Sequence, residues 1–289
     1  MLKKRISANV IVRNGIVVQS INFKKYLPIG KPAIALEFLN QWGIDEIVLL
    51  DITAGIQNGK PDFGMVKKAS VKCYVPLTVG GGINHLDHVK ELMHCGADKI
   101  SLNQATLHNK QLVSDTAHTF GNQCVVVSID AVESSKGYLV YDHVTKQAMP
   151  TLTVASHAKQ MEGLGAGEIF VNSVDRDGSY KGYDLNLINE VCDAVNLPVI
   201  CSGGAKNAND FLKVLEDTNA SAASAGNFFF FTEHSVTTTK AVVRKQKDVR
   251  LETFITYSNS NFDDEFRLLK KKDSELEDML YVEIKKEVI

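Results

Sequence analysis

Pro76-Leu-Thr-Val-Gly-Gly-Gly, ending at Gly82, and Pro198-Val-Ile-Cys-Ser-Gly-Gly, ending at Gly204, are two copies of one pattern, an apolar run opening on proline and closing in a glycine turn. They lie 122 residues apart. The correspondence spreads outward at the same displacement: Gly43-Ile-Asp-Glu-Ile-Val-Leu-Leu aligns with Gly165-Ala-Gly-Glu-Ile-Phe-Val-Asn, and Lys99-Ile-Ser with Ser221-Ala-Ala. A long repeat of fixed period means duplicated architecture. Its best-kept part is a turn whose glycines let backbone amides approach an anion, so the duplicated unit looks built for an oxyanion.

Eight short apolar runs fit strands: Ile6 to Val12, Glu46 to Asp51, Val75 to Val79, Lys99 to Leu102, Cys124 to Ile129, Glu168 to Asn172, Pro198 to Cys201 and Ala220 to Ala225. Between them lie helix-length segments: Pro32 to Trp42, Phe63 to Ser70, His85 to His94, Lys110 to Phe120, Val154 to Leu164, Leu185 to Ala194, Ala208 to Leu215 and Ser235 to Arg244. Strand–helix alternation implies parallel βαβ units, and eight of them close into a (β/α)8 TIM barrel. A two-fold repeat fits this closed form better than a doubly wound open sheet. The barrel is expected over residues 1–245 as two half-barrels, with a small hairpin over residues 137–146 after the fifth strand. Residues 246–289 form a charged extension with two readings, amphipathic helix or partly disordered appendage.

Of 289 residues, 44% are hydrophobic and 23% charged, and the net charge is -2, which gives no basis for nucleic-acid or membrane partners. The amino terminus lacks a signal-peptide apolar region, so a cytoplasmic location is expected. Five scattered cysteines in apolar contexts read as reduced thiols. Nothing in the pattern calls for a metal or a cofactor.

In a barrel the loops at the carboxyl ends of the strands build the site. The turns at Gly81 and Gly82 and at Gly203 and Gly204 are candidate phosphate sites, with Asn103 and Asn227 completing each loop. Two such sites across one mouth imply a ligand phosphorylated at both ends. Over the axis, Asp130 ends an unbroken apolar run, and a carboxylate there needs a purpose, so it is the candidate general acid or base. Asp51, Asp177 and Ser202 are candidate ligand contacts. At the opposite strand ends Arg5, Glu46, Lys99 and Glu168 are either a surface ring of ion pairs or a balanced cluster across the barrel floor; spacing alone leaves both open.

Together these motifs resemble the cyclase subunit of imidazole glycerol phosphate synthase over residues 1–245. They include Glu46-Ile-Val-Leu-Leu-Asp-Ile-Thr-Ala, Gly96-Ala-Asp-Lys-Ile-Ser-Leu-Asn, Phe120-Gly-Asn-Gln-Cys-Val-Val-Val-Ser-Ile-Asp-Ala, Asp175-Arg-Asp-Gly and Ser202-Gly-Gly-Ala. The resemblance implies a glutaminase partner in a heterodimer. Its ammonia would cross the barrel to a bisphosphorylated ribulosyl aminoimidazole carboxamide, which is split into imidazole glycerol phosphate and an aminoimidazole ribonucleotide. It further implies that Asp130 is one of two catalytic aspartates and that Arg5, Glu46, Lys99 and Glu168 form the ammonia gate. Asp98 and Lys181 match positions near the glutaminase contact.

The chain departs from that pattern on its first strand. The second aspartate's position is Ile11, Gln19 stands where a substrate-contacting lysine is expected, and Asn172 replaces a small hydroxyl residue. Three functions follow as expectations: a cyclase with weakened chemistry; an ammonia-conducting paralogue serving another acceptor, such as a sugar amidotransferase of surface-polysaccharide synthesis; or a bisphosphate-sensing regulator of a glutaminase. A related isomerase of the same pathway shares the phosphate turns, but the gate and the Asp130 context argue against it.

Overall fold

The computed structural model describes residues 3–56, 59–232 and 234–250. The first half runs β1 (Arg5–Arg13), β2 (Ile16–Ile21), β3 (Lys25–Gly30), α1 (Pro32–Gln41), β4 (Glu46–Asp51), α2 (Ile52–Ile56), α3 (Phe63–Ser70), β5 (Leu77–Gly80), α4 (Leu86–His94), β6 (Lys99–Leu102), α5 (Gln104–His108) and α6 (Gln111–Phe120). The second runs β7 (Val125–Ser134), β8 (Gly137–Asp142), β9 (Gln147–Thr153), α7 (Val154–Gly163), β10 (Glu168–Ser173), α8 (Leu185–Ala194), β11 (Val199–Ser202), α9 (Ala208–Asp217), β12 (Ala222–Ala225), α10 (Asn227–Phe231) and α11 (Ser235–Val243). β1, β4, β5, β6, β7, β10, β11 and β12 pair in parallel, and β12 returns to β1 to close the barrel. The eight expected strands are these eight.

Strand alternation sorts the side chains. Ile6, Ala8, Val10 and Val12 of β1 join the core between barrel and helices, while Val48, Val126, Phe170, Ile200 and Ala222 pack together as a separate apolar cluster. These five share strand parity with the floor and mouth residues of the same strands, which places them inside the barrel. Local chemistry fixes the helix starts: Asp62, Thr153 and Asp184 accept from backbone amides at the heads of α3, α7 and α8, and Asn207 with Asp210 forms a capping box at α9. His85, expected as the first residue of a helix, is instead the extended N-cap of α4.

Each half also carries a β-hairpin over the mouth. β8 and β9 follow β7, and the pairing runs to Thr153, beyond the expected residue 146. The counterpart, β2 and β3 after β1, has no place among the expected elements. Its signal is Asn14-Gly15, where both residues have positive φ, the backbone that a two-residue turn between paired strands requires. At the far end, Lys4 bridges to Val249 and donates to Asp248 O at 2.9 Å, so residues just past position 245 run along the floor. The rest of the expected extension, residues 251–289, lies outside the described residues.

Candidate active site and floor cluster

The half-barrel counterpart of Asp130 is fixed by strand register. Asp130 pairs with Asn172 on β10, and Ile11 pairs with Leu50 on β4. Leu50 and Asn172 are counterparts under the 122-residue repeat, so Ile11 and Asp130 occupy equivalent positions. One half presents a carboxylate there and the other a sec-butyl group.

Asp130 is buried, and three side chains address it. Asn103 Nδ2 donates to Oδ2 at 2.9 Å, Asn172 Nδ2 reaches Oδ1 at 3.4 Å, and His143 Nδ1 stands 3.5 Å from Oδ2. Asn103, expected at a phosphate, thus spends its side chain on the carboxylate. His143 comes from the turn between β8 and β9, and sequence spacing offered no sign of it because a hairpin brings it back over its own strand. Burial alone would lower the His143 pKa; contact with Asp130 and the charges of Asp130 and Asp142 outweigh that and raise it.

The glycine turns are matched in detail. Gly81 and Gly203 have φ of +115° and +100°, and a Cβ on either would strike the last backbone carbonyl of the adjacent strand, Asp51 O or Ser173 O. On Gly82 and Gly204 it would strike the O of Gly59 and of Gly182. Only glycine fits these four positions. The second turn lines a small pocket with Asn9, Ile11, Ser202, Asp177 and Asn227. The Asn9 side-chain oxygen is buried there with no protein partner.

Several candidates hold the mouth together. Asp51 Oδ1 accepts from Thr53 N at 2.8 Å at the head of α2. Asp177 Oδ2 accepts from Ser20 Oγ at 2.7 Å and Phe23 N at 3.2 Å, pinning the β2–β3 hairpin. Asn227 Nδ2 donates to Ser20 O at 2.6 Å, and Gln104 Nε2 donates to Asp142 Oδ1 at 2.7 Å, so one amide latches each hairpin. Gln19 lies over the same mouth, 3.4 Å from the Tyr180 hydroxyl. Phe23 and Tyr141 meet edge to face at 6.2 Å, joining the two hairpins.

On the floor, Arg5, Glu46, Lys99 and Glu168 form one network instead of scattered surface pairs. Arg5 contacts Glu46 at 2.6 Å and also Glu168, and Lys99 reaches Glu168 at 2.7 Å and Glu46 at 4.0 Å. Both glutamates are almost wholly buried, and desolvation raises the Glu46 pKa against the pull of Arg5. Asp98 is exposed on the same face, where its Oδ2 accepts from Leu77 N at 2.8 Å. Lys181 sits on the loop between β10 and α8, at the opposite end of the barrel, so the two residues expected at one partner contact do not share a face.

These features define a closed (β/α)8 barrel with two symmetry-related glycine turns at its mouth, a buried carboxylate over its axis and a charge cluster on its floor. The sequence pattern of the histidine biosynthesis protein family matches residues 5–235, and the chain belongs to that family. It is 38% identical over 264 residues to the hisF2 protein of Vibrio vulnificus (strain YJ016), whose name assigns it provisionally to imidazole glycerol phosphate synthase. That match spans 91% of this chain and 97% of the relative. It is 40% identical to the imidazole glycerol phosphate synthase subunit HisF of Clostridium botulinum (strain Langeland / NCTC 10281 / Type F), covering 85% of this chain and 98% of the relative. The subunit HisF of Lactococcus lactis subsp. lactis (strain IL1403) is also 40% identical, over 82% of this chain and 92% of the relative. No helix among the described residues is long and apolar enough to cross a membrane.

Proposed function

We propose that this chain is the ammonia-conducting barrel of a cytosolic glutamine amidotransferase heterodimer, with weakened cyclase chemistry of its own. A glutaminase partner docks on the floor around Asp98. Ammonia enters through the Arg5–Glu46–Lys99–Glu168 cluster, crosses the interior and emerges beside Asp130. A bisphosphorylated ligand spans the turns at Gly81 and Gly82 and at Gly203 and Gly204, with its reacting centre between them.

The interior chemistry supports passage of the neutral molecule. Above the floor lie Val48, Val126, Phe170, Ile200 and Ala222, and buried hydroxyls of Ser7, Thr78, Ser101, Ser128 and Ser224 are set on strands of the same barrel. An ammonium ion would be costly to bring past such an apolar ring, whereas ammonia crosses without losing ionic hydration. The cluster as it stands is shut, because Arg5 bridges both glutamates. Entry requires one of its cations to swing toward the floor.

The observation that carries the reading is the register equivalence of Ile11 and Asp130. Cyclisation with cleavage needs protons both removed and delivered, and a positioned acid or base contributes about 10²- to 10⁴-fold. Isoleucine does neither. Asp51 does not replace it, since its carboxylate caps α2. The ammonia therefore serves a different principal acceptor, for which a sugar amidotransferase of surface-polysaccharide synthesis fits the chemistry.

Reconstitution with the glutaminase tests this. Glutamate release should rise on complex formation, and Lys99→Met should uncouple that release from ammonia delivered at the mouth. Stimulation that persists unchanged when both Asp130 and the floor cluster are mutated would point instead to a purely regulatory subunit.

A further inference from the structure

His143 belongs to no motif of the repeat, yet the fold takes care to place it. The tip between β8 and β9 is tied by Asp142, which is buried: its Oδ1 accepts from Val144 N and Gln104 Nε2 at 2.8 and 2.7 Å, and its Oδ2 accepts from Thr145 Oγ1 at 2.8 Å. Hydrogen bonding lowers the Asp142 pKa despite its burial, so the clamp stays ionised through the neutral range. Gln104 follows Asn103 in sequence, and Asn103 holds Asp130. Two adjacent residues of one segment thereby fix both Asp130 and the turn that carries His143.

The outcome is an asymmetric carboxylate. Asp130 Oδ2 has the Asn103 amide at 2.9 Å and His143 Nδ1 at 3.5 Å, whereas among the described residues Oδ1 has only the long contact from Asn172. The His143 side chain is 20% exposed, so this pairing is largely shielded from solvent. Its charged neighbours are Asp130 on β7 and Asp142 on its own turn. Asp177, Tyr26 and Tyr141 also lie in the field of Asp130.

We propose that His143 is the positioning partner of Asp130: it holds the carboxylate by Oδ2 and leaves Oδ1 as the oxygen that meets the reacting group. The inference rests on the reading of Asp130 as the working acid or base. The centre is then a histidine–aspartate pair on one side of the mouth, in place of two carboxylates facing each other across it. Such a pair titrates as a unit.

Two measurements separate this proposal from the broader functional reading. In the full chain with isotope-labelled histidine, the His143 imidazole resonance, assigned by its loss in His143→Gln, should titrate above the ordinary value of about 6.5. With Asp130→Asn its midpoint should fall, because the carboxylate that favours the imidazolium is gone. Equal midpoints in the two proteins would overturn the pairing, whatever reaction the site performs. In the second, residual conversion of the bisphosphate substrate with ammonium salt is followed against pH. The unmodified chain should show a limb where His143 titrates that His143→Gln lacks; a uniform fall at every pH would reduce His143 to packing and overturn the positioning role. If neither protein converts the substrate, the cyclase reading of the mouth falls, and the titration alone decides the pair.

Discussion

The two half-barrels share a backbone and differ in what they put over the mouth. Both end a strand in a glycine turn pressed against a neighbouring carbonyl, and both fold a hairpin over the first strand and latch it with one amide. In the second half that strand carries Asp130, with His143 beside it. In the first it carries Ile11, with Gln19 on the hairpin. Turn geometry is thus separable from the side chains over the mouth: a scaffold can keep the backbone symmetry of its duplication while one half carries a carboxylate and the other an aliphatic group.

The sharpest way to break the comparison is to make the halves alike by removing the surviving acid. Asp130→Asn should lower residual cyclase turnover by about 10²- to 10⁴-fold, read as imidazole glycerol phosphate formed from ammonium salt. The chain should still fold, because the amide has the carboxylate's shape and keeps an acceptor oxygen for the shorter of the two donors, Asn103 Nδ2.

A second test addresses the seam where α11 closes onto the first half. Lys240 of α11 is fully buried and pairs with Asp45 at 2.6 Å, and Asp45 also accepts from Ile6 N at 2.7 Å. Lys240→Ala leaves Asp45 buried with its countercharge removed and should cost about 3–5 kcal/mol in urea unfolding. A loss well under 1 kcal/mol would mean that water reaches the seam.

Third, the halves should differ in acid. His157 of α7 is buried against Thr106 of α5, with Nε2 3.0 Å from Oγ1, while its repeat counterpart is Ala35. Burial lowers the His157 pKa to about 4. The native state therefore resists a proton that the unfolded chain accepts near 6.5, so stability is complete above that pH and falls as pH drops toward 4, by up to about 3 kcal/mol. Replacing His157 by Gln should flatten that slope in denaturation curves collected between pH 4 and 7.

Restoring the lost chemistry is a smaller expected effect. Ile11→Asp with Gln19→Lys should raise cyclase turnover by at least about 10-fold, within the range one acid–base group supplies. No change would place the loss elsewhere in the mouth. Smallest of all, Asn227→Ala and Gln104→Ala should each weaken one hairpin latch by about 1 kcal/mol, seen as faster amide exchange in β2–β3 or β8–β9 respectively.

Much of this molecule is legible in its sequence because the repeat supplies two readings of every element. Glu46 to Asp51 and Lys99 to Leu102 are strands over their full expected spans, and the glycine turns announce themselves by composition. The β2–β3 hairpin is hard to read because Gln19 and Ser20 interrupt its apolar alternation, although Asn14-Gly15 marks the turn that leads from β1 into it. The surroundings of Asp130 were illegible for a different reason. Asn103, Asn172 and His143 meet there from three separate strands and hairpins, and no local spacing encodes a convergence that only barrel closure creates. Likewise, the family resemblance puts both Asp98 and Lys181 near one partner contact, but Asp98 precedes β6 and Lys181 follows β10, so they lie at opposite ends of the barrel.

The most direct measurement is the ratio of imidazole glycerol phosphate to glutamate when the reconstituted complex is given glutamine and the bisphosphate substrate. An ammonia-conducting barrel with one acid should release glutamate steadily while forming far less than one imidazole product per glutamate. A ratio near one, at a rate comparable to an ordinary synthase, would contradict the account.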